Sequence, residues 1–156
     1  MKIALGADHG GLELKEIVKE YLINGGYEVE DFGTYTKDSC DYPVYGQKVG
    51  EAVSFGDCDR GIAICGTGLG ISMAVNKVPG IRGALCTNEF MATMSREHNN
   101  ANVLVLGGRV LGVGLAMRIV AVWLETEFLG ERHQRRLDLI TEIEKKYQKC
   151  LKSRKK

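Results

Sequence analysis

The stretch Gly61-Ile-Ala-Ile-Cys-Gly-Thr-Gly-Leu-Gly-Ile-Ser72 decides the fold of this chain. A short apolar run ends at Cys65, and a glycine-rich turn that opens a predicted helix follows at once. This order places a thiol at the mouth of a turn whose backbone N–H groups can converge on an anion. The positive end of the helix favours negative charge, so Cys65 is a candidate for chemistry at neutral pH. The same turn is a candidate for stabilising an oxyanion beside the sulfur.

The alternation of short apolar runs and helical stretches continues on both sides of this stretch. The predicted strands are 2–7, 27–31, 60–65, 82–86 and 102–106. The predicted helices cover the apolar positions 14–22 and then 44–55, 68–76, 89–97, 113–128 and 135–151. Alternating strands and helices imply parallel pairing through right-handed crossovers, and therefore a three-layer α/β fold. Because no repeat or linker interrupts the pattern, we expect residues 1–156 to form a single domain.

The composition is that of an ordinary soluble globule, with 44% apolar and 26% charged residues and a net charge of +1. The sequence contains no apolar run long enough to span a bilayer or to form the core of a signal peptide. Five cysteines without a CxxC pair favour a reducing, cytoplasmic setting over a disulfide framework. We therefore expect a cytoplasmic protein with no membrane partner.

The positive charge is concentrated at the C-terminus, where residues 131–156 hold ten Lys and Arg against four Asp and Glu. A basic tail is one signal of nucleic-acid binding. Here, however, the basic residues alternate with apolar ones at helical spacing from Leu137 to Leu151. We therefore favour a packed helix with a solvated basic face, and we expect no nucleic-acid partner.

Ligands of an open parallel sheet bind beyond the carboxyl ends of its strands. This rule selects four short segments, which are 8–11, 65–70, 86–88 and 107–109. His98 and Asn99 lie at the end of a predicted helix, at the opposite edge of the sheet unless that helix end folds back. Arg132 and Arg136 stand four residues apart, a spacing that suits a phosphate dianion and equally suits a solvated basic turn.

Cys65 differs from two of the other cysteines in its neighbours. Cys86 is followed closely by Glu89 and Cys58 lies between two aspartates, and a nearby carboxylate opposes ionisation of a thiol. The turn after Cys65 has the pattern GxGxG and not the dinucleotide fingerprint GxGxxG, and it lacks the Gly-Lys-Ser/Thr of a P-loop. The three histidines are too widely spaced for a common metal motif, so we expect no metal site.

Six segments, which run in order across nearly the whole chain, resemble the type B ribose-5-phosphate isomerases and the related galactose-6-phosphate isomerase subunits. They are GADHGG (6–11), DYP (41–43), CGTGLG (65–70), NKVPGIRGAL (76–85), REHNNANVLVLGGRVLG (96–112) and WLETEFLGERHQRR (123–136). The resemblance implies a Rossmann-like fold and reversible aldose–ketose isomerisation of a sugar phosphate, without metal or organic cofactor. It also implies a homodimer, or a dimer of dimers, with shared active sites, and we expect the helix at 135–151 to pack on a partner subunit.

The resemblance further implies roles for individual residues. Cys65 would be the base that moves a proton between C1 and C2 of the sugar, while Thr67 and His98 would open the furanose ring. The groups that would contact the substrate are Asp8, His9, Tyr42, Gly66, Gly68, Leu69, Gly70, Asn99, Arg109, Arg132 and Arg136. The loop from Gly66 to Gly70 and Asn99 would stabilise the enediolate. The arginines and His9 would bind the phosphate, in part from the partner subunit.

The leading hypothesis is therefore an isomerase of ribose 5-phosphate and ribulose 5-phosphate, acting in the pentose phosphate pathway. A hexose-phosphate isomerase for allose 6-phosphate or galactose 6-phosphate is the close alternative, because the sequence does not locate the residues that separate pentoses from hexoses. A non-catalytic phosphate- or nucleotide-binding module on the same sheet is a lower-ranked alternative, in which Cys65 has no obvious role.

Overall fold

The structure is a computed structural model that describes residues 1–153, with side chains described as far as Tyr147. Strands and helices alternate along the chain as the sequence predicts. In order they are β1 (Lys2–Ala7), α1 (Leu12–Asn24), β2 (Glu28–Asp31), α2 (Tyr42–Ser54), β3 (Arg60–Cys65), α3 (Leu69–Val75), β4 (Gly83–Leu85), α4 (Glu89–Glu97), β5 (Val103–Gly107), α5 (Val113–Glu125) and α6 (Arg132–Ser153).

The five strands form one parallel sheet in the order β2-β1-β3-β5-β4. β3 lies at its centre, where Ala63 is in register with Gly6 of β1 and with Val105 of β5. Because all the strands are parallel, the loops that follow β1, β3 and β5 emerge side by side at one edge of the sheet.

Each face of the sheet has its own hydrophobic core. On one face the core includes Leu5, Ile62, Leu104, Val18, Ala92 and Trp123, which come from the sheet and from α1, α4 and α5. On the other face it includes Ala4, Ala63, Val105, Val49 and Ile71, which come from the sheet and from α2 and α3. Burying one large apolar side chain contributes about 1.5–3 kcal/mol, so both helical layers are held firmly on the sheet. This arrangement confirms the predicted three-layer α/β fold with a five-stranded parallel sheet and a C-terminal helix.

Two helix boundaries differ from the prediction by three residues, and the others agree within two. α5 ends at Glu125 and not at Phe128, because the backbone at Thr126 is extended. The carbonyl of Thr126 accepts a hydrogen bond from the side chain of Arg96 at 3.3 Å, and the N–H of Leu129 donates to Glu97 at 3.1 Å. This segment therefore runs along the end of α4, and α6 begins at Arg132, three residues earlier than predicted.

The helix α6 contacts the rest of the chain at few points. Leu137 is buried, and the N–H of Gly80 lies 3.3 Å from the carboxylate of Glu144. Four of its apolar side chains are more than half exposed, which are Leu139, Ile140, Ile143 and Tyr147. The predicted packing of this helix on a partner subunit stays a prediction.

Among the described residues, every helix is too short or too polar to cross a lipid bilayer.

Candidate active site

Three loops meet at the carboxyl edge of the sheet. The N–H of Gly108 donates to the carbonyl of Cys65 at 2.8 Å, and the N–H of Arg109 donates to Gly66 at 2.9 Å. On the other side of β3, the N–H of Asp8 donates to Ile64 at 3.3 Å. These backbone bonds fix the loops after β1 and β5 against the glycine loop after β3, so three of the four segments selected by the strand-end rule, 8–11, 65–70 and 107–109, are brought together.

The sulfur of Cys65 lies under the glycine loop. The N–H of Gly68 donates to Sγ at 3.1 Å, so the sulfur accepts a hydrogen bond from the backbone of the loop. Gly68 has φ +80°, and an added Cβ would lie 2.5 Å from the side chain of Leu85, so only glycine fits the turn that directs this N–H. Cys65 is only 4% exposed, which differs from the expected position at the mouth of the turn.

Two of the other cysteines, Cys58 and Cys86, lie in a different environment. Burial raises the pKa of Cys86 to about 11. Burial, followed by the charge of Glu30, raises the pKa of Cys58 to about 11 as well. Both side chains are thus kept as neutral thiols at neutral pH. Burial is the main cause at both positions, whereas the sequence analysis considered only the acidic neighbours in the sequence.

The segment after β1 supplies Asp8 and His9. Asp8 is buried, and its Oδ1 accepts hydrogen bonds from the N–H groups of Gly10 at 2.8 Å and Gly11 at 3.1 Å. His9 is half-buried, and its Nδ1 lies 3.2 Å from the backbone N of Cys40. The carboxylate therefore shapes the turn, and the imidazole faces the loop space beyond β1.

Other predicted site residues surround the glycine loop. Arg109 is exposed and lies along Gly66, whose added Cβ would be 3.4 Å from the arginine Cδ. The ring of Tyr42 covers Gly70, where an added Cβ would be 2.6 Å away. Thr67 is exposed, and its hydroxyl accepts a hydrogen bond from the N–H of Leu69 at 3.3 Å.

A cleft of about 280 Å³ opens beside this edge of the sheet. Its walls are formed by His9, Gly10, Glu13, Leu14, Lys37, Gly108 and Arg109. Cys65 is not among these residues, since the glycine loop lies over its sulfur. The cleft therefore holds groups that suit an anion, next to the loop that covers the thiol.

A second group of predicted site residues lies elsewhere. His98 caps the end of α4, and its ring stacks on that of His133 with centroids 4.2 Å apart and 6° between the planes. Nε of Arg132 donates to Nε2 of His133 at 3.4 Å. Burial, followed by the positive charges of His98, Arg132 and Arg136, lowers the pKa of His133 from its ordinary value. Two histidines and two arginines thus form a basic patch at the start of α6.

A buried arginine fixes this patch to the fold. Arg96 is 4% exposed and donates from Nη1 to the carbonyl of Ala101 at 2.6 Å and to the side chain of Asn100 at 2.9 Å. Burial, its main cause, lowers the pKa of Arg96 to about 10, so the side chain is still charged at neutral pH. Asn99 is exposed next to this turn.

The basic patch and Cys65 lie at opposite edges of the sheet. α4 runs back from the carboxyl edge, and β5 then returns from Val103 to Gly107, which is in register with Cys65. Five strand residues span about 13 Å, and His98 lies beyond the start of that strand. A single copy of the chain therefore does not bring His98, Arg132 or Arg136 to Cys65.

The sequence reasoning did not identify two residues of these regions, His133 and Cys40. His133 is 4% exposed and Leu137, four residues later, is 5% exposed, so helical spacing could have placed both on the buried face of α6. The contact of Cys40 with His9 joins positions 31 residues apart, and no local pattern signals it. Within the described part of the chain, no three His, Cys, Asp or Glu side chains are grouped as metal ligands would be.

The chain is similar to known proteins over most of its length. The model of the ribose/galactose isomerase family matches residues 3–140. Ribose-5-phosphate isomerase B of Escherichia coli is 48% identical over 145 residues, which cover 93% of this chain and 97% of that protein. Galactose-6-phosphate isomerase subunit LacB of Clostridium acetobutylicum is 42% identical over 82% of this chain and 74% of its own length. The solved structure of Clostridium thermocellum ribose-5-phosphate isomerase B matches with a TM-score of 0.93 and 62% identity over 94% of this chain and 99% of that one.

Proposed function

We propose that this chain, which belongs to the ribose/galactose isomerase family, interconverts ribose 5-phosphate and ribulose 5-phosphate, a reaction of the pentose phosphate pathway. The observation that carries the proposal is the sulfur of Cys65, which is buried beneath the glycine loop and lies 3.1 Å from the N–H of Gly68. Relatives that match nearly the whole chain are ribose-5-phosphate isomerases B, which favours the pentose over a hexose.

Cys65 is the proposed base. Its thiolate takes the proton from C2 of the open-chain aldose, and the electron pair left behind forms the C1–C2 double bond while charge moves to the oxygen on C1. The same sulfur then returns the proton to C1, and the hydroxyl proton on C2 passes to the oxygen on C1. The sugar is oxidised at C2 and reduced at C1, so the reaction needs no external electron acceptor.

A hydrogen beside a carbonyl is weakly acidic, so the base alone is insufficient. The charge on the enediolate needs donors that are already in place, and losing one such donor costs about 10²–10³ in rate. We assign this role to the loop from Gly66 to Gly70, which includes Leu69, and to Asn99. Tyr42 closes the loop by packing on Gly70, while Asp8 orders the turn beside it.

The phosphate is assigned to the cationic groups. Arg132 and Arg136 lie four residues apart on α6 and can present two guanidinium groups to one dianion. His9 and Arg109 line the cleft at the carboxyl edge and are the proposed contributors from that side. Opening of the furanose ring is assigned to Thr67 and His98, whose side chains can exchange a proton with the ring oxygen and the anomeric hydroxyl.

These assignments need a second copy of the chain. His98, Arg132 and Arg136 lie at the edge of the sheet away from Cys65, so we infer a homodimer, or a dimer of dimers, in which the basic patch of one copy completes the glycine loop of the other. The exposed apolar side chains of α6 support this assembly, because four of them, at 51–58% exposure, are uncovered in one copy.

The setting is inferred to be cytoplasmic. The four cysteines with described side chains are free thiols, as expected in a reducing compartment.

The reaction can be tested by following hydrogen exchange at carbon. We expect the protein to incorporate deuterium from D₂O at C1 of ribulose 5-phosphate, and to show a higher kcat/KM for ribose 5-phosphate than for allose 6-phosphate or galactose 6-phosphate. A higher kcat/KM for a hexose phosphate would replace the proposed substrate. Tight nucleotide binding without exchange on any sugar phosphate would instead favour a non-catalytic module.

A further inference from the structure

Residues 32–41 form a strap that links β2 to α2 across the carboxyl end of β1. The N–H of Phe32 donates to Leu5 at 2.7 Å, and the N–H of Thr34 donates to Ala7 at 2.9 Å. Between them, an added Cβ on Gly33 would lie 2.6 Å from the backbone N of Ala7, so the strap can approach β1 this closely only with glycine. The start of the strap is therefore fixed to the sheet.

A buried ion pair anchors the same end of the strap. Nζ of Lys15 is fully buried and lies 2.8 Å and 3.0 Å from the two carboxylate oxygens of Asp31. Oδ1 of Asp31 also accepts a hydrogen bond from the N–H of Gly33 at 3.0 Å. The backbone carbonyl of Asp31 accepts a hydrogen bond from the hydroxyl of Tyr35 at 2.8 Å. Burial raises the pKa of Asp31. The ammonium groups of Lys15 and Lys19 outweigh this effect and hold the pKa of Asp31 below its ordinary value. The carboxylate is thus ionised at neutral pH and the anchor persists.

The other end of the strap contacts His9. The backbone N–H of Cys40 donates to Nδ1 of His9 at 3.2 Å, and Sγ of Cys40 lies 3.8 Å from the same nitrogen. A ring nitrogen that accepts a hydrogen bond carries no proton, so the neutral imidazole must carry its proton on Nε2. His9 and the strap residue Lys37 both line the cleft beside the glycine loop.

We propose that the strap positions His9: the backbone N–H of Cys40 selects the tautomer with the proton on Nε2, which presents a hydrogen-bond donor to the substrate phosphate. In the other tautomer the same nitrogen would turn a lone pair toward a phosphate oxygen, which also carries lone pairs. Cys40 is therefore a positioning residue that acts through His9, and its backbone, not its thiol, has the role. The inference rests on the proposed function for the identity of the anion, but the tautomer itself does not depend on it.

The first experiment measures the wild-type protein and uses one variant only to assign its signals. Long-range ¹H–¹⁵N correlation spectra of the ¹⁵N-labelled wild-type protein at neutral pH distinguish the two tautomers of a histidine by the shifts of its ring nitrogens. The spectra are assigned by the loss of signals in His9→Gln. We expect one set of signals for His9, with the proton on Nε2. A proton on Nδ1, or a mixture of both tautomers, overturns the proposal whether or not the protein is an isomerase.

The second experiment compares two substitutions at position 40. Cys40→Pro removes the N–H, and Cys40→Ala keeps the N–H but removes the thiol. We expect Cys40→Ala to keep the Nε2–H tautomer and Cys40→Pro to lose it, with circular dichroism confirming that both variants fold. The two variants differ in the hydrogen bond from the N–H of residue 40 to His9. KM for ribose 5-phosphate should therefore be about three- to tenfold higher in Cys40→Pro than in Cys40→Ala, with a smaller change in kcat.

Several outcomes would overturn this positioning role. One is retention of the Nε2–H tautomer in folded Cys40→Pro, and another is its loss in Cys40→Ala, which would assign the effect to the thiol. A difference between the two variants in kcat alone would also contradict a role in phosphate binding. Failure of the proposed function would be seen separately, as an absence of isomerisation in the wild-type protein whose His9 tautomer is already known.

Discussion

The carboxyl edge of the sheet and the basic patch at the start of α6 are built in different ways. At the carboxyl edge, the loops after β1, β3 and β5 hold one another through backbone hydrogen bonds, and the sulfur of Cys65 receives the N–H of Gly68 at 3.1 Å. In the basic patch the contacts are between side chains: His133 stacks on His98, and Arg132 donates a hydrogen bond to His133. The first region is positioned by strand register, and the second by two helix ends.

Each region lacks what the other has. The carboxyl edge holds the proposed base and the oxyanion loop, whereas the basic patch holds two arginines and a histidine that can bind an anion and exchange a proton. Since about 13 Å of β5 separates the two edges within one copy, neither region is a complete site by itself. The proposed assignments therefore divide one chemical task between two surfaces, which the proposed second copy would bring together.

The largest expected effect comes from removing the sulfur. Cys65→Ala should lower kcat by at least about 10²–10⁴, the contribution of a positioned base, while substrate binding measured by calorimetry changes little.

Mixing this inactive variant with inactive His98→Asn, after unfolding and refolding together, should restore about a quarter of the wild-type rate. Half of the randomly formed dimers then carry one intact site of two.

Cys86→Ala is the matched control for this experiment, since it removes a buried thiol that directly follows β4 at the same edge of the sheet, and it should leave kcat within about twofold. No recovery of activity in the mixture would show that each site is formed within one copy. More than about a tenth of the wild-type rate in Cys65→Ala alone would remove Cys65 as the base.

A smaller effect is expected in the basic patch. Arg136→Ala should raise KM for ribose 5-phosphate about tenfold or more, because a hydrogen bond to a charged group is worth about 1.5–3 kcal/mol, and kcat should change less. Arg135→Ala is the control: it removes the same charge from the same helix, but Arg135 is not among the charges that lower the pKa of His133. Equal increases in KM for the two variants would point to general electrostatic attraction and not to a phosphate site.

The smallest expected effect concerns stability. Burial and the neighbouring positive charges lower the pKa of His133 below 6.5, so as the pH falls below that value the unfolded chain takes up a proton that the folded chain does not. The free energy of unfolding should therefore decrease between about pH 7.5 and pH 5.5, measured by urea titration. His133→Gln removes the group and should reduce this decrease. Equal decreases in both proteins would show that His133 does not contribute to it.

The sequence located the carboxyl-edge region well. The apolar run before Cys65 and the glycines after it predicted a strand, a turn and a helix, and the strand-end rule selected the segments at Asp8, Cys65 and Gly107 that the structure brings together. These features are local, because strand ends and turns depend on residues close in the chain. Asn88, which directly precedes the predicted helix 89–97, caps α4 by accepting the N–H of Met91 at 2.8 Å.

Other features depended on contacts between distant positions. The position of Cys65 beneath its loop, at 4% exposure, follows from how Gly68 packs between Leu85 and β5. The stack of His133 on His98 joins α6 to α4, and the contact of Cys40 with His9 joins the strap to β1. Local sequence patterns do not predict such contacts between distant positions, although the helical spacing of His133 and Leu137 indicates a buried face of α6.

By itself, the sequence determined the order of strands and helices, the parallel sheet and the chemical character of the glycine loop, because hydrophobic period and turn chemistry are properties of short segments. Only the tertiary structure decided which side chains share an edge of the sheet. In a parallel sheet the loops that follow the strands lie at one end and the loops that follow the returning helices lie at the other, so the residues proposed to serve one reaction are held apart in a single copy.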